Sequence, residues 1–493
     1  MKRNKFSLSN YKLLTGDMGE LLPIGLQEVL PGDTIQHSTS ALIRVSPLVS
    51  PVMHPVRVKI HHWFVPMRLL WQDWEDFITG GSYGSTPPSF PTITTPGGGF
   101  AVGSLADYLG VPTGVAGLQV SALPFRAYGL IFNEWYRDQD LISEVPVSVA
   151  SGSDTTTNTS LLNGCWEKDY FTTARPWPQK GADVSLPLGT SAPVVSSGAA
   201  PQFSSTTGGF NDRTLNVQSG ARTALFSGTQ SASELVMKFG NVTGLQADLS
   251  TATASTVNAL RRAFALQRMA EARAMYGSRY TEYLRYLGVT SSDARLQRPE
   301  YLGGGKQTIQ FSEILQTGPN SSDAGVGNLK GHGIGALRSN RYRRYFEEHG
   351  FVLSFMVVLP KTIYAQGLPR TFNRRTREDF FQPELQHIGQ QQVLNKELYA
   401  AHGSPDGVFG CQDRYDEYRR TESSIAGEMR SVLDNWHYAR IFSSAPALNS
   451  SFVSAVPTKR VNAVSTNDVL YIMANHSIQA RRLLTSNPKP GLL

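Results

Sequence analysis

The chain has 493 residues, 40% of them hydrophobic, so it contains enough apolar side chains to build a sizeable core. Only 17% are charged, which excludes a disordered polyelectrolyte and indicates long uncharged loops or large surfaces buried between subunits. The net charge of +7 permits a polyanionic partner without requiring one.

Two cysteines, Cys165 and Cys411, are too few for a disulfide framework or a zinc cluster and favour a reducing compartment. The basic start MKRNKFSLSNYK is not followed by the apolar run of a signal peptide. No segment reaches the ~18 apolar residues of a transmembrane helix, so we predict no membrane insertion.

The first part of the chain predicts an arm followed by strands. Residues 1–27 begin polar and basic, and we expect an arm rather than a packed element. Strands are predicted at 41–49 and 55–65, and apolar and polar residues alternate in the second, as is typical of an antiparallel sheet with one solvated face.

Helical spacing predicts helices over 68–78 and 123–140, and a long helix over 255–287 that Gly277 divides. The arginines on the polar faces of the long helix are more typical of a solvated surface than of nucleic-acid contact.

Between residues 190 and 250 the composition changes to Ser, Thr, Gly and Ala, with few charged side chains. Such a segment buries too little apolar surface to form its own core. About 60 residues of this kind are either disordered or ordered by copies of themselves at a symmetry axis.

Strand character returns near the end of the chain. The continuous apolar run 351–360 indicates a strand buried on both faces, and shorter strands are predicted at 452–461 and 468–474. Strands at both ends with helices and loops between them indicate a mainly β fold, an antiparallel sandwich with expanded loops.

Two motifs resemble enzyme signatures but lack the required context. Ser82 lies in GGSYG, which fits G-x-S-x-G, yet a helix precedes it and a Pro-rich loop follows, the reverse of a nucleophile elbow. Lys306 follows three glycines, but the remaining positions of a phosphate-binding loop are absent.

Metal-binding patterns are equally weak. His61 and His62 are adjacent on a strand, so their side chains point to opposite faces. Asp413, Asp416 and Glu417 are close enough for a calcium site, but interleaved arginines favour a salt-bridged loop. We therefore predict no catalytic residue, no metal, no cofactor and no enzymatic activity.

Three basic clusters remain: the N-terminal arm, RSNRYRR at 338–344 and RTFNRRTR at 370–377. The last two combine arginines with aromatic residues, the combination that holds single-stranded nucleic acid. A solvated basic surface, or arginines paired with acidic loops, is the alternative. The candidate nucleic-acid-binding residues are Lys2, Arg3, Lys5, Arg341, Arg343, Arg344, Arg374, Arg375 and Arg377.

Several long strings occur in the order found in a known family. They include EVLPGDT at 28–34, HHWFVPMRLLWQDWEDFITGG at 61–81, WPQKG at 177–181, RLQRPEYLGGG at 295–305, TREDFF at 376–381, VFGCQDRYDEYR at 408–419 and PALN at 446–449. In these strings the chain resembles the major capsid proteins of microviruses, small icosahedral single-stranded-DNA phages, and specifically their gokushovirus-like branch.

The resemblance implies an eight-stranded antiparallel jelly roll of viral capsid type with large helical and loop insertions. It implies about 60 copies in a T=1 shell around circular single-stranded DNA. The expected partners are other copies of the chain, the DNA genome, and internal scaffolding, pilot and small basic packaging proteins. The expected location is the virion, assembled in the bacterial host cytoplasm.

On this basis we divide the chain into five parts. The 190–250 insertion is expected to form a threefold surface protrusion used in host attachment. The parts are an N-terminal arm and shell entry at 1–40, a first jelly-roll part at 41–189, the insertion at 190–250, a helical insertion at 251–350 and a second jelly-roll part at 351–493.

Two other functions stay open from the residues alone. A single-stranded-DNA-binding protein acting outside the virion would use the same arginines, although basic residues are spread along the chain rather than concentrated in one domain. A β-sandwich hydrolase would depend on Ser82, its only formal motif.

Overall fold

We analysed a computed structural model of the chain. It describes residues 3–81, 86–182, 184, 194–205, 212–217, 224–226, 237–239, 243, 245–247, 257–277, 279–318, 325 and 327–485. The chain forms two compact units, one of residues 1–178 with 273–493 and one of residues 179–272. Lys2 and Ser82 lie outside the described residues, as does most of the 190–250 insertion.

Strands dominate the described residues. They are β1 (Asn4–Ser7), β2 (Asn10–Gly16), β3 (Leu22–Val29), β4 (Thr34–Leu48), β5 (Val56–Pro66), β6 (Thr92–Thr94), β7 (Gln119–Ser121), β8 (Val194–Ser196), β9 (Gln202–Ser205), β10 (Arg213–Val217), β11 (Ala224–Phe226), β12 (Met237–Phe239), β13 (Leu245–Ala247), β14 (Glu300–Leu315), β15 (Leu329–Arg338), β16 (Tyr342–Tyr345), β17 (Gly350–Pro360), β18 (Gln390–Leu394), β19 (Val408–Asp413) and β20 (Leu470–Arg482).

Helices are fewer and mostly short. They are α1 (Met67–Leu70), α2 (Trp74–Thr79), α3 (Leu105–Leu109), α4 (Leu123–Ile131), α5 (Val257–Tyr276), α6 (Tyr280–Tyr286), α7 (Asn395–Leu398) and α8 (Ser450–Val453). A π-helical turn, Phe132–Tyr136, continues α4, and the part of the chain that the structure describes contains six 3₁₀ turns, at Arg370–Asn373, Arg377–Asp379, Pro383–His387, Asp416–Tyr418, Gly427–Arg430 and Asp434–Trp436.

A large antiparallel sheet forms the centre of the first unit. Eight strands follow one another in the order β1-β20-β4-β15-β14-β5-β17-β3, while β2 pairs with β20 and β16 with β4. The mainly β, jelly-roll type of fold that the sequence predicts is therefore confirmed. Pairs such as β4 with β20 join residues more than 400 positions apart in the chain.

The main core lies between the two halves of this sheet. Alternate residues of β4 and β20, such as Ile43 and Ile472, share a buried cluster with Val58, Ile60 and Met356 of β5 and β17. The sheet thus encloses one apolar layer between the β20-β4-β15 half and the β5-β17-β3 half.

The two halves of the sheet differ in what covers the face that points away from this core. Helices α1, α3 and α4 contribute to a second core against β5 and β17, in which Trp63 and Phe355 contact this helical layer. As a result β17 is buried at every position, as predicted. The second half of β5 is also buried throughout, so the predicted solvated face of 55–65 is limited to its first half.

The N-terminal segment differs from its prediction. Residues 4–7 and 10–16 are β1 and β2, antiparallel neighbours of the C-terminal strand β20, and 22–29 pairs with β17. The expectation of an unpacked arm is wrong there. The polar pattern hides these strands because each has one exposed face or edge.

Other elements match the sequence to varying degrees. The long helix appears as α5 and α6, divided at Gly277, whose φ of +96° favours glycine. The helix predicted over 123–140 ends at Tyr136. The prediction of a strand at 452–461 is wrong, because α8 occupies the start of this segment and no strand follows it there.

The second unit contains α5 up to residue 272 and the short strands β8 to β13. Four of the strands form a small sheet in the order β11-β10-β9-β12, and β13 pairs with β8. The limits of the five predicted parts of the chain stay a prediction.

Candidate nucleic-acid interface

Six neighbouring strands of the large sheet contain no Asp or Glu: β1, β2, β4, β15, β16 and β20. Such a continuous stretch of sheet without a carboxylate produces a positive potential wherever its cations are exposed. The basic residues of these strands are Lys5, Lys12, Arg44, Lys330, Arg338, Arg343, Arg344, Arg481 and Arg482.

Most of these cations lie on one face. In β20 the odd-numbered residues are the more exposed ones, and they stand opposite even-numbered residues of β4, so Tyr471 faces Arg44 and Arg481 faces Thr34. The same alternation holds along β15. We call this surface the basic face; its exposed cations are Lys5, Arg44, Lys330, Arg338, Arg343 and Arg481.

The sheet register brings two of the predicted clusters together at one end of the basic face. Lys5 stands opposite Arg481, while Tyr345 and Arg481 both stand opposite Thr34. The Arg3 guanidinium lies 5.0 Å from the centre of the Tyr345 ring and donates to its hydroxyl at 3.3 Å. The N-terminal residues and the RSNRYRR segment therefore form a single surface.

Sequence reasoning missed Arg481 entirely. It lies in an Arg-Arg pair at the end of β20. Because the strand was predicted to end at residue 474, the sequence did not predict that Arg481 stands opposite Lys5. The absence of acidic residues from six strands that are scattered along the chain could have been read from the sequence only with the strand order known.

Other basic residues of these strands already have partners. Arg482 pairs with the buried carboxylate of Asp33 at 3.0 Å, and Arg344 pairs with Glu300 at 2.8 Å. Burial lowers the pKa of Lys12 to about 8, and its ammonium donates to the Pro23 carbonyl at 3.0 Å. These cations stabilise the fold more than they attract a ligand.

Arg341 and the RTFNRRTR segment complete the predicted set. With the Gln36 amide oriented to accept, its oxygen lies 3.2 Å from Arg341 nitrogens. Arg374 is largely buried, 3.6 Å from Glu417 and 4.4 Å from the centre of the Tyr418 ring. Arg375 and Arg377 are exposed.

The predicted salt-bridged loop is confirmed. Asp416 forms an ion pair with Arg420 at 2.7 Å, and Arg370 lies 3.5 Å from Glu417 and 2.9 Å from Glu397. Acidic residues therefore surround part of the arginine loop, whereas the strands that form the basic face contain none.

A histidine cluster lies in the sheet interior, and sequence reasoning did not find it. The rings of His37 and His62 are 4.6 Å apart, and a nitrogen of His37 is 3.2 Å from one of His476. Hydroxyl groups contact all three rings: Thr39 contacts His37 and His476, while Ser354 lies 2.8 Å from His62. Burial lowers the pKa of each, that of His37 to about 3.

The two adjacent histidines do point to opposite faces, since His61 contacts the Tyr136 hydroxyl at 2.7 Å while His62 faces the interior. Over the described part of the chain, no group of three His, Cys, Asp or Glu residues is arranged to hold a metal ion. No helix in that part is long and apolar enough to cross a membrane.

Comparison with known proteins decides the family. The capsid protein (F protein) family of phages matches residues 1–492. The chain belongs to this capsid protein family. It is similar to capsid protein VP1 of Bdellovibrio phage phiMH2K, with 40% identity over 94% of this chain and 90% of the relative.

Two further relatives are capsid protein VP1 of Chlamydia phage 1, 34% identical over 94% of this chain and 91% of the relative, and VP1 of Spiroplasma virus 4, 33% identical over 92% and 87%. The resemblance to microvirus capsid proteins is thus confirmed. The chain is a structural capsid protein and a virion component that assembles with other copies into a shell.

Proposed function

We propose that the chain is the major shell subunit of a T=1 capsid of about 60 copies that encloses circular single-stranded DNA. The observation that carries the DNA part of this proposal is the basic face. Six exposed cations stand on strands with no carboxylate between them, which is the environment that a phosphate backbone requires.

The proposal orders the predicted DNA contacts. Arg3, Lys5 and Arg343, joined by Arg481, are the first candidates because they meet on one exposed surface. Arg375 and Arg377 come second, and Arg374 contributes mainly to the loop around Glu417. Lys2 remains a candidate outside the described residues.

The charge of the subunit limits how much DNA it can neutralise. Sixty copies at +7 give about +420, whereas a genome of several thousand nucleotides has one negative charge per nucleotide. We therefore include small basic packaging proteins among the partners, with internal scaffolding and pilot proteins in the host cytoplasm during assembly.

We assign host contact to the 190–250 insertion, as a protrusion that three copies form together. Deleting it is expected to leave a soluble, folded subunit, since the large sheet is built from residues outside it. Loss of soluble protein on deletion would show instead that the insertion is part of the shell fold.

Light scattering after size exclusion, on protein from phage-producing cells, tests the proposal. A peak near 3.2 MDa, about 60 chains of 54.0 kDa, with nuclease-protected DNA is the expected result. Single chains bound to DNA, in the presence of the other phage proteins, would instead support a DNA-binding protein that acts outside the virion.

A further inference from the structure

A groove of about 580 Å³ opens on the exposed side of the sheet, where β2, β20 and β4 lie side by side. Its floor is apolar: Leu13 stands opposite Met473, which stands opposite Leu42. The next row on this face, two residues away along each strand, consists of Thr15, Tyr471 and Arg44. The loop before α3 contributes Val102 and Gly103 to the wall.

Several large apolar side chains that line the groove are exposed to solvent. Leu13 is 69% exposed, Val102 is 83% exposed, and Tyr471 and Met473 are 44% and 40% exposed. Apolar side chains gathered in one concave site indicate a surface that binds something. Leu13, Tyr471 and Met473 belong to the same strands as the basic face and point to the same side.

The charges around the groove select the ligand. Arg44 is exposed beside Tyr471, and the strands of the floor contain no carboxylate. At the other end of that row, Thr15 donates to the carboxylate of Asp468, which precedes β20. Asp107 also lines the groove, but its carboxylate accepts from the Gly103 backbone amide at 2.8 Å, and its charge offsets part of the lowering of the Lys12 pKa by burial. An aromatic ring beside an arginine on a sheet face is the arrangement that binds an unstacked base and its phosphate.

We propose that this groove takes bases of single-stranded DNA, with a base stacked on Tyr471 and its phosphate held by Arg44. The inference rests on the proposed function and makes it specific, because contact with phosphates alone would leave the apolar floor uncovered. Tyr11, 72% exposed and two residues before Leu13 on the same side of β2, offers a second ring to a neighbouring base.

The test compares two ligands of equal length and charge spacing. The full chain, taken as unassembled subunits, is titrated by fluorescence anisotropy with labelled dT15 and with an abasic deoxyribose-phosphate 15-mer. We expect dT15 to bind at least tenfold more tightly. Tyr471→Ala should weaken dT15 binding about tenfold and leave the abasic affinity unchanged, because only the stacking partner is lost.

Tyr471→Phe is the matched variant. It keeps the ring and removes a hydroxyl for which the described residues show no hydrogen bond, so its dT15 affinity should equal that of the parent chain. Leu13→Gln provides a second change to the floor at an exposed position, with an expected loss of several-fold for dT15 only. Unchanged circular dichroism spectra would exclude misfolding in each variant.

The possible failures have different meanings. Equal affinity for dT15 and the abasic strand, or equal losses in Tyr471→Ala, would overturn the base groove and leave phosphate contact at the basic face intact. Normal dT15 binding by Tyr471→Ala together with failed particle assembly would assign the groove to another copy of the chain. No salt-dependent binding to either strand would overturn the DNA-contact proposal itself.

Discussion

The two halves of the large sheet are built from the same kind of strand but have different surroundings. Every residue of β17 is buried, because one face meets the other half of the sheet and the other face meets the helical layer. In β20 buried and exposed residues alternate, because only one face is covered. Both halves therefore contribute to the main core, but only the open half leaves one face as a surface.

The difference also appears in charge. In the covered half β5 and β17 also contain no acid, but both cations of β5, Arg57 and Lys59, pair with Glu167 at 3.0 and 2.7 Å. Acidic residues occur in the flanking strands, Glu28 in β3 and Glu300 and Glu313 in β14. The strands of the open half contain no acid, and seven of their cations are exposed, six of them on the basic face. A sheet face that only had to remain soluble would be expected to mix both signs, so this asymmetry points to an anionic partner.

The largest expected effect is a loss of stability caused by a cavity in the covered half. Phe355 is fully buried, with its ring centre 5.6 Å from that of Tyr128, so Phe355→Ala should lower the free energy of unfolding by about 3–5 kcal/mol. Met473→Ala, on the exposed side of β20, should change it by less than about 0.5 kcal/mol. Urea unfolding of the unassembled subunit measures both; similar losses would show that the open face is part of the core.

The second prediction concerns pH. His37 has a pKa of about 3 when folded and near 6.5 when unfolded, so the unfolded chain binds more protons below pH 6.5. Its contribution to stability is complete above pH 6.5 and is lost as the pH falls towards 3. Among the described residues, the charges acting on this histidine cluster come from Lys12 and His61, with no carboxylate to balance an added proton.

Stability should therefore fall by about 2 kcal/mol between pH 7 and pH 5 for His37 alone. Urea titrations of the parent chain and of His37→Gln at both pH values measure this. The variant should show a smaller drop than the parent. An equal drop in both would assign the acid sensitivity to other groups.

The smallest expected effect concerns salt. Removing one phosphate contact reduces the slope of log K against log salt by about 0.7 for single strands. Arg343→Gln should show this reduction in dT15 binding, whereas Arg374→Gln should not, since its guanidinium already lies between Glu417 and Tyr418. A reduced slope in Arg374→Gln would mean that the arginine loop reaches the DNA.

The sequence predicts the covered half better than the open half. The apolar run 351–360 identifies β17 almost to the residue. For β20 the prediction stops at 474, because Asn475, His476, Ser477 and Gln479 look like a loop, although His476 is buried against Thr39 and the Ile24 carbonyl. A buried polar network does not produce the apolar periodicity on which such a prediction depends.

The site was predictable only in part. The arginines themselves are visible in the sequence, but whether an arginine is available depends on partners that are distant in the chain, as with Arg374 and Glu417. The meeting of Lys5 with Arg481 depends on strands at opposite ends of the chain. Composition shows the cations, whereas the strand order determines which of them remain unpaired.

The central claim is that the basic face, rather than any exposed arginine, contacts the packaged DNA. The direct measurement is nuclease-protected DNA per particle for two variants with the same change in charge. Arg343→Gln with Arg481→Gln should lower protected DNA severalfold at normal particle yield, and Arg375→Gln with Arg377→Gln should lower it much less. Equal losses in the two variants, or a greater loss in the loop variant, would contradict the account.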